Sequence, residues 1–347
     1  MIETMCAVVA DHPGGLDVLH LHHVPLPVAG PGQVRVAVRS AGINFHDVQQ
    51  RRGTGPDSRF PLIPGIDFAG VVVEVGEAVE GLGAGQAVFG LAPAGGAYAQ
   101  QAVVPAAAVR PIPDGVGFDE AAALPVAGLS ASFLLRVSEL RPGMTAAVFA
   151  AAGGLGCFLG GLLTVAGVRS IGITSSPAKA KIAEAAGHSD VIDYRAEDPV
   201  EAVRERTGGA GVDVVFDSVA GPEFARSFRM LRDGGTVICC GRAGGPPDLA
   251  DVTDAVIGSR RNLGLRDFFL STYLPAHVDE LADRLDTLAE AMRSEQLRIP
   301  IRAFELGDAA RAHALIESGS SVGKIVLHID PAATPRASST HTQADDR

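Results

Sequence analysis

The chain has 347 residues, with 40 acidic against 29 basic side chains and a formal net charge of −11. Such a surface repels phosphate backbones and anionic headgroups, which argues against nucleic acid or an anionic membrane as partner. Its 42 glycines and 22 prolines stay below the roughly 25–30% that marks low-complexity disorder, and the length favours two domains over one core.

The start, Met1-Ile2-Glu3-Thr4, has neither a basic segment nor an apolar run, so no secretory signal is expected and the protein is placed in the cytoplasm. The first third then reads as short strands. Val34-Arg35-Val36-Ala37-Val38-Arg39 alternates with period two, and Val71-Val72-Val73-Glu74-Val75 is bounded by Gly70 and Gly76. Prolines at 25, 27, 31, 61, 64, 93, 105, 111 and 113 exclude long helices there, with a short helix expected only over Asn44–Arg52. His20, His22 and His23 fall on a strand and read as surface residues.

From about Glu120 helices and strands alternate. Strands are predicted at Ala146–Ala150, Ser170–Thr174, Val191–Ile192, Val212–Asp217 and Gly235–Cys240. Helices are predicted at Leu155–Ala166, Pro177–Ala186, Pro199–Thr207 and Pro222–Leu231. This order implies an α/β fold with a parallel sheet. A long helix follows at Val278–Glu295, then a helix at Ala309–Glu317 and a strand at Lys324–Ile329; residues 331–347 have the composition of a disordered tail. The four cysteines (Cys6, Cys157, Cys239, Cys240) form no C-x-x-C pair. They read as buried thiols in a reducing compartment, and no structural zinc site is expected.

Ala150-Ala151-Ala152-Gly153-Gly154-Leu155-Gly156 follows an apolar strand and opens an apolar helix, the setting of a dinucleotide phosphate turn. Glycine lets the backbone approach the pyrophosphate, and the first N–H groups of the helix face it. At the end of the second strand an NAD site carries an acidic residue for the ribose hydroxyls. Here Ser175 stands in that slot, with Lys179 nearby to meet a 2′-phosphate and Lys181 as a secondary candidate, so the expected cofactor is NADPH. Lys179, Lys181 and Lys324 are the chain's three lysines; its other basic residues are arginines.

Over residues 1–330 the sequence resembles the zinc-independent quinone oxidoreductases of the medium-chain dehydrogenase/reductase superfamily. The resemblance rests on Ala41-Gly42-Ile43-Asn44-Phe45-His46-Asp47, on Pro64-Gly65-Ile66-Asp67-Phe68-Ala69-Gly70 and on Ala122-Ala123-Leu124-Pro125-Val126-Ala127-Gly128-Leu129-Ser130. It rests also on the glycine turn, Val191-Ile192-Asp193-Tyr194, Asp217-Ser218-Val219 and Gly323-Lys324-Ile325-Val326-Leu327. It implies a doubly wound Rossmann domain (121–265) inserted in a GroES-like β-rich catalytic domain (1–120 plus 266–330), and a homodimer joined near Asn262–Arg266. It further implies that Asn44 and Ser130 lie near the nicotinamide ribose and carboxamide. Gly153, Gly154, Leu155 and Gly156 would hold the pyrophosphate, and Ser175, Lys179 and Tyr194 the adenosine phosphate. Ser218, Gly241, Phe268, Phe269 and Leu270 would line the nicotinamide side, and Lys324 would close the site.

Zinc-dependent relatives carry a cysteine near position 41 and a His-Glu pair where this chain has Ile66-Asp67. With no ligand set for a Lewis acid, alcohol oxidation is disfavoured. The resemblance therefore implies hydride delivery to a small electrophilic acceptor, a quinone or an enone. Two other readings are an enoyl-thioester reductase acting in trans, as in polyketide-type biosynthesis, and a cofactor-binding protein without turnover. Related enoyl-thioester reductases place a proton-donating tyrosine where this chain has Gly55 in Gly53-Thr54-Gly55-Pro56. His46, Tyr98 and Tyr273 are the remaining donor candidates, with His46 beside Asn44.

Overall fold

The computed structural model describes residues 3–55 and 58–330; the tail at 331–347 lies outside the described residues. Strands β1 (Thr4–Ala10) and β2 (Leu19–Pro25) pair antiparallel as a separate two-stranded sheet. The main sheet of the first domain contains β3 (Gln33–Ile43), β4 (Asp67–Val75), β5 (Ala87–Leu91), β6 (Gln101–Pro105) and β7 (Val109–Pro111). Helix α1 (Phe45–Arg51) leaves the end of β3, at the position where prolines no longer interrupt the chain. Asn44 caps it: its backbone N–H donates to Asp47 Oδ2 at 2.8 Å, closing a capping box.

The second sheet has six strands, all parallel: β8 (Thr145–Phe149), β9 (Arg169–Thr174), β10 (Asp190–Asp193), β11 (Val212–Asp217), β12 (Leu231–Cys239) and β13 (Gly264–Asp267). Their spatial order, β10-β9-β8-β11-β12-β13, reverses direction between β8 and β11. The crevice at such a reversal, beyond the strands' carboxyl ends, is where doubly wound sheets bind ligands. Helices α2 (Pro125–Ser138), α3 (Gly154–Val165) and α4 (Pro177–Ala185) belong to this half, each of α2 and α4 opening on a proline. The chain then returns to the first sheet through β14 (Ile301–Glu305) and β15 (Lys324–His328), which complete the order β14-β15-β3-β4-β5-β7.

One expectation is corrected, and two observations bear on where the two halves divide. The helix expected over Pro222–Leu231 shrinks to Arg226–Arg229, because Leu231 already pairs with Val212 and β12 starts there rather than at Gly235. The sixth parallel strand ends at Asp267, past the domain boundary drawn at 265. Helix α5 (Leu281–Arg293) buries Leu281, Leu285 and Leu288 in the core that holds Phe133 and Leu134 of α2, so part of 266–330 packs on the parallel-sheet half. Arg284 lies 4.1 Å over the Phe133 ring, and an Arg110–Asp286 ion pair ties α5 back to β7. Helix α6 (Ala309–Glu317) precedes β15 and has the predicted bounds. His20, His22 and His23 are exposed on β2.

Candidate functional site

The glycine turn sits between β8 and α3, at the point where the strand order reverses. Gly156 is obligatory by space: a Cβ there would lie 2.5 Å from Ala150 O and 2.6 Å from Ala151 Cα. Ala150 takes a positive φ of 51°, a strained conformation for a residue with a side chain. Gly153 is the N-cap of α3, Gly154 and Leu155 form its first turn, and all three are partly exposed, so the free N–H groups of the helix open onto the crevice.

Beneath this turn lies a residue that sequence reasoning did not single out. His188 is buried; its Nε2 donates to Gly156 O at 3.1 Å and its Nδ1 lies 3.1 Å from Ser170 Oγ. Burial lowers its pKa to about 4, and burial with the nearby Arg51 charge lowers that of His313 to about 3. Both are therefore neutral in the folded protein near pH 5–7, whereas an unfolded histidine titrates near 6.5. The unfolded chain binds the extra protons, so stability is complete above pH 6.5 and falls as the pH drops towards 4 and 3, by about 2 kcal/mol per histidine at pH 5. His188→Gln and His313→Gln are each expected to flatten the dependence of the urea-unfolding free energy on pH between 7 and 5 by about one proton's slope. An unchanged slope in both variants would contradict this.

At the end of β9, Ser175 is half-buried and Ser176 caps α4, its Oγ accepting from Lys179 N at 3.3 Å. Lys179 reaches across the cleft and donates to Gly319 O; burial and the adjacent Arg195 charge lower its pKa. Arg195 follows Tyr194, which is 49% exposed after β10. Lys179 and Arg195 thus crowd positive charge at one spot, and Arg195 is a second residue missed in the sequence. Lys181 is fully on the exposed face.

The other cleft wall centres on Asp67, at the first residue of β4 and wholly buried. Its Oδ1 accepts from Val126 N at 2.8 Å, holding the start of α2, the helix that carries half-buried Ser130. Its Oδ2 accepts from Asn44 Nδ2 at 2.8 Å and from Lys324 Nζ at 2.9 Å. Lys324 Nζ also donates to Asn44 Oδ1 at 2.7 Å and to Ile43 O at 3.3 Å. Lys324 therefore does not point a free charge into the cleft; its ammonium is enclosed by three oxygens. The two halves of the molecule meet at the same place, where Gly323 N donates to Ala152 O at 2.7 Å and Gly323 bridges Gly153.

His46, on the first turn of α1, has its Nε2 3.3 Å from Gln50 Nε2, and its Nδ1 is buried with no hydrogen-bond partner among the described residues. The Gln50 amide nitrogen can only donate, so His46 Nε2 accepts and Nδ1 carries the hydrogen. The imidazole centroid is 6.4 Å from that of Phe269. Phe269 and Leu270 are half-exposed, whereas the Phe268 ring is buried against Tyr273. At the carboxyl ends of β11 and β12, Gly241 approaches the Ser218 backbone so closely that a Cβ would lie 2.6 Å from Ser218 O. The two tyrosines are structural. Tyr98 is buried, its OH donating to Asp47 Oδ2 at 3.2 Å and lying 3.2 Å from His313 Nε2; burial and the Asp47 charge push its phenol well above 10. Tyr273 stacks on His277 at 4.0 Å and packs against Phe133 and Phe268. Gly55 presents no side chain in the tyrosine slot.

Two family models match the chain: the alcohol dehydrogenase GroES-like domain over residues 30–114 and the zinc-binding dehydrogenase over residues 186–327. Among the described residues no group of three or more His, Cys, Asp or Glu is placed to hold a metal ion. The chain is 34% identical over 318 residues to a quinone oxidoreductase of Pseudomonas aeruginosa, covering 90% of this chain and 96% of that one. It is 32% identical to a 2-haloacrylate reductase of a Burkholderia species, covering 92% and 98%. Among solved structures it superposes on Escherichia coli quinone oxidoreductase complexed with NADPH with a TM-score of 0.88 at 30% identity, covering 93% of this chain and 99% of that one. The GroES-like half, the parallel nucleotide-binding sheet and near full-length matches to these relatives lead to one conclusion: the chain is an oxidoreductase of the medium-chain dehydrogenase/reductase superfamily and belongs to its zinc-independent quinone oxidoreductase group.

Proposed function

We propose that the protein is an NADPH-dependent reductase that transfers hydride, without a metal, to a quinone or to the β-carbon of an activated alkene. The observation that carries this reading is the state of Asp67. It stands where zinc-dependent relatives have their His-Glu pair, yet both its oxygens are engaged and a lysine ammonium lies 2.9 Å away. A dication at that point would face a fixed positive charge.

The residues present fit a dinucleotide phosphate. The glycine turn leaves no Cβ between the backbone and a ligand, α3 turns its amino end to the crevice, and Lys179 with Arg195 supplies charge beyond β9. The Escherichia coli relative's complex with NADPH supports the same choice. When bound, the reduced nicotinamide supplies the hydride. The first-turn amides of α3 would hold the pyrophosphate, with Gly153–Gly156 closest. Ser175 brings no repulsion to a 2′-phosphate, and Lys179 would exchange Gly319 O for it. Lys179→Ala is expected to reduce the preference for NADPH over NADH about tenfold, the effect of losing about 1.4 kcal/mol from one charge-assisted contact; equal preference in variant and parent would contradict that role.

Asn44 and Ser130 would meet the nicotinamide side from α1 and α2, Ser218 and Gly241 from the strand ends. Phe269 and Leu270 would keep water from the reacting carbon. His46 Nδ1–H, which has no hydrogen-bond partner among the described residues, would hydrogen-bond the acceptor's oxygen as charge develops on it, once a small side-chain movement uncovers it. His46→Leu is expected to lower kcat about 100-fold with NADPH affinity retained; a full-rate variant removes His46 from the mechanism and leaves protonation to water.

The test is NADPH consumption with 1,4-benzoquinone, a small enone and a crotonyl thioester in parallel, before and after exhaustive chelation. Turnover of the first two that survives chelation is expected. A preference for the thioester would shift the reading to enoyl-thioester reduction, and tight binding with no turnover would make the protein a non-catalytic binder.

A further inference from the structure

We infer that the buried Lys324–Asp67 ion pair is a positioning device that locks the Asn44 carboxamide in one orientation and ties it to the glycine turn; the inference rests on the proposed reductase reading for its catalytic consequence. Lys324 is 3% exposed and Asp67 0%. The three ammonium hydrogens meet three oxygens, those of Asn44, Asp67 and Ile43. Such saturation leaves Lys324 nothing to give a ligand, and it leaves Asn44 no freedom to flip. With Oδ1 at 2.7 Å from the ammonium and Nδ2 at 2.8 Å from the carboxylate, a reversed amide would set hydrogen against hydrogen and oxygen against oxygen. With Oδ1 taken by the ammonium and by the Asp47 backbone N–H of the capping box, one Nδ2 hydrogen remains, in a fixed direction, for a ligand.

The same residues reach the other half of the molecule. A Cβ on Gly154 would lie 2.9 Å from Lys324 Cδ, so the lysine's methylenes lie against the first turn of α3. Its neighbour Gly323 donates to Ala152 O from a φ of +56°, where a Cβ would come within 1.9 Å of Pro300 O. Asp67 Oδ1 meanwhile holds Val126 at the start of α2. The ion pair thus sets Asn44, α2 and the turn relative to one another. A compact ammonium suits three converging oxygens, whereas the planar fork of arginine does not. That accounts for a lysine here in a chain whose basic residues are otherwise almost all arginine.

The chain contains only two asparagines, Asn44 and Asn262, and Asn262 is exposed. Selective labelling of asparagine side-chain nitrogen therefore yields two carboxamide signals, assigned by Asn262→Gly, which suits the positive φ of 56° at that position. In the parent protein the Asn44 hydrogens are expected to exchange with solvent at least about 100-fold more slowly than those of the same protein unfolded in urea, as buried bonded groups do; equal exchange overturns the inference. In the charge-neutral pair variant Asp67→Thr/Lys324→Met that protection is expected to be lost, and retained protection overturns it.

The catalytic consequence is read by a double-mutant cycle with Asn44→Ala at saturating NADPH. The pair variant is expected to lower kcat about 10- to 100-fold when Asn44 is present and to leave it unchanged when Asn44 is already alanine. Additive losses would show that the pair acts other than through Asn44, against the inference. If the parent oxidises no NADPH with any acceptor, the reductase reading fails, while the exchange measurement still decides the positioning claim.

Discussion

Lys324→Met is expected to lower the unfolding free energy by about 3–5 kcal/mol, the cost of leaving one partner of a buried ion pair without the other. Asp67 is wholly buried, so its charge cannot turn to water when the ammonium is gone. Removing both charges, as in Asp67→Thr/Lys324→Met, is expected to cost less than the single change, because no uncompensated buried charge remains. Exposed pairs such as Arg293–Glu290, both about half exposed, set the contrast: their loss is worth about 0–1 kcal/mol. Urea unfolding followed by circular dichroism measures all three. A Lys324→Met loss no larger than that of Arg293→Ala would mean that the cluster is solvated and holds nothing in place.

Gly156→Val is expected to raise the dissociation constant for NADPH about 100-fold, a loss of about 2.7 kcal/mol. Its Cβ would meet backbone atoms, Ala150 O at 2.5 Å and Ala151 C at 2.7 Å, which cannot turn aside as a side chain would. The helix α3 must then lift from β8, taking the first-turn N–H groups out of line. Gly153→Ala is the milder companion. Its φ is −83° and its Cβ would lie 3.2 Å from Ala150 O, so the turn needs to give by only a few tenths of an ångström. Titration of nicotinamide fluorescence separates them; equal affinities for parent and Gly156→Val would place the phosphate elsewhere.

The parallel sheet was legible because its strands are continuous apolar runs between turn residues, and Val212–Asp217 and Ala309–Glu317 have the bounds their patterns predict. The segment 222–231 was not, since pairing of Leu231 with Val212 overrides local helix preference there. Of the site, the glycine turn and the position of Lys179 follow from short spacings. The partner of Lys179 lies 140 residues on, in Gly319, and that of Lys324 lies 257 residues back, in Asp67. No local pattern signals such pairs. Asp67 stood in a recognisable motif but was read for the metal ligands it replaces, and its role as the junction of Asn44, Lys324 and α2 emerges only in three dimensions. His188 carried no motif at all; it is a lone histidine just after α4, and only the fold brings it under Gly156. Lysine scarcity drew attention to Lys179 and Lys324, of which Lys324 serves an interior cage rather than a ligand's charge.

The most direct test of the central claim is a single-turnover experiment. The protein is loaded with NADPH, freed of metal by chelation and gel filtration, and mixed rapidly with 1,4-benzoquinone while the nicotinamide absorbance is followed. The absorbance of bound NADPH is predicted to disappear in one enzyme-dependent phase, faster than that of free NADPH mixed with the quinone and slowed in Gly156→Val. If bound NADPH persists as long as free NADPH does, the protein is not a reductase of this kind.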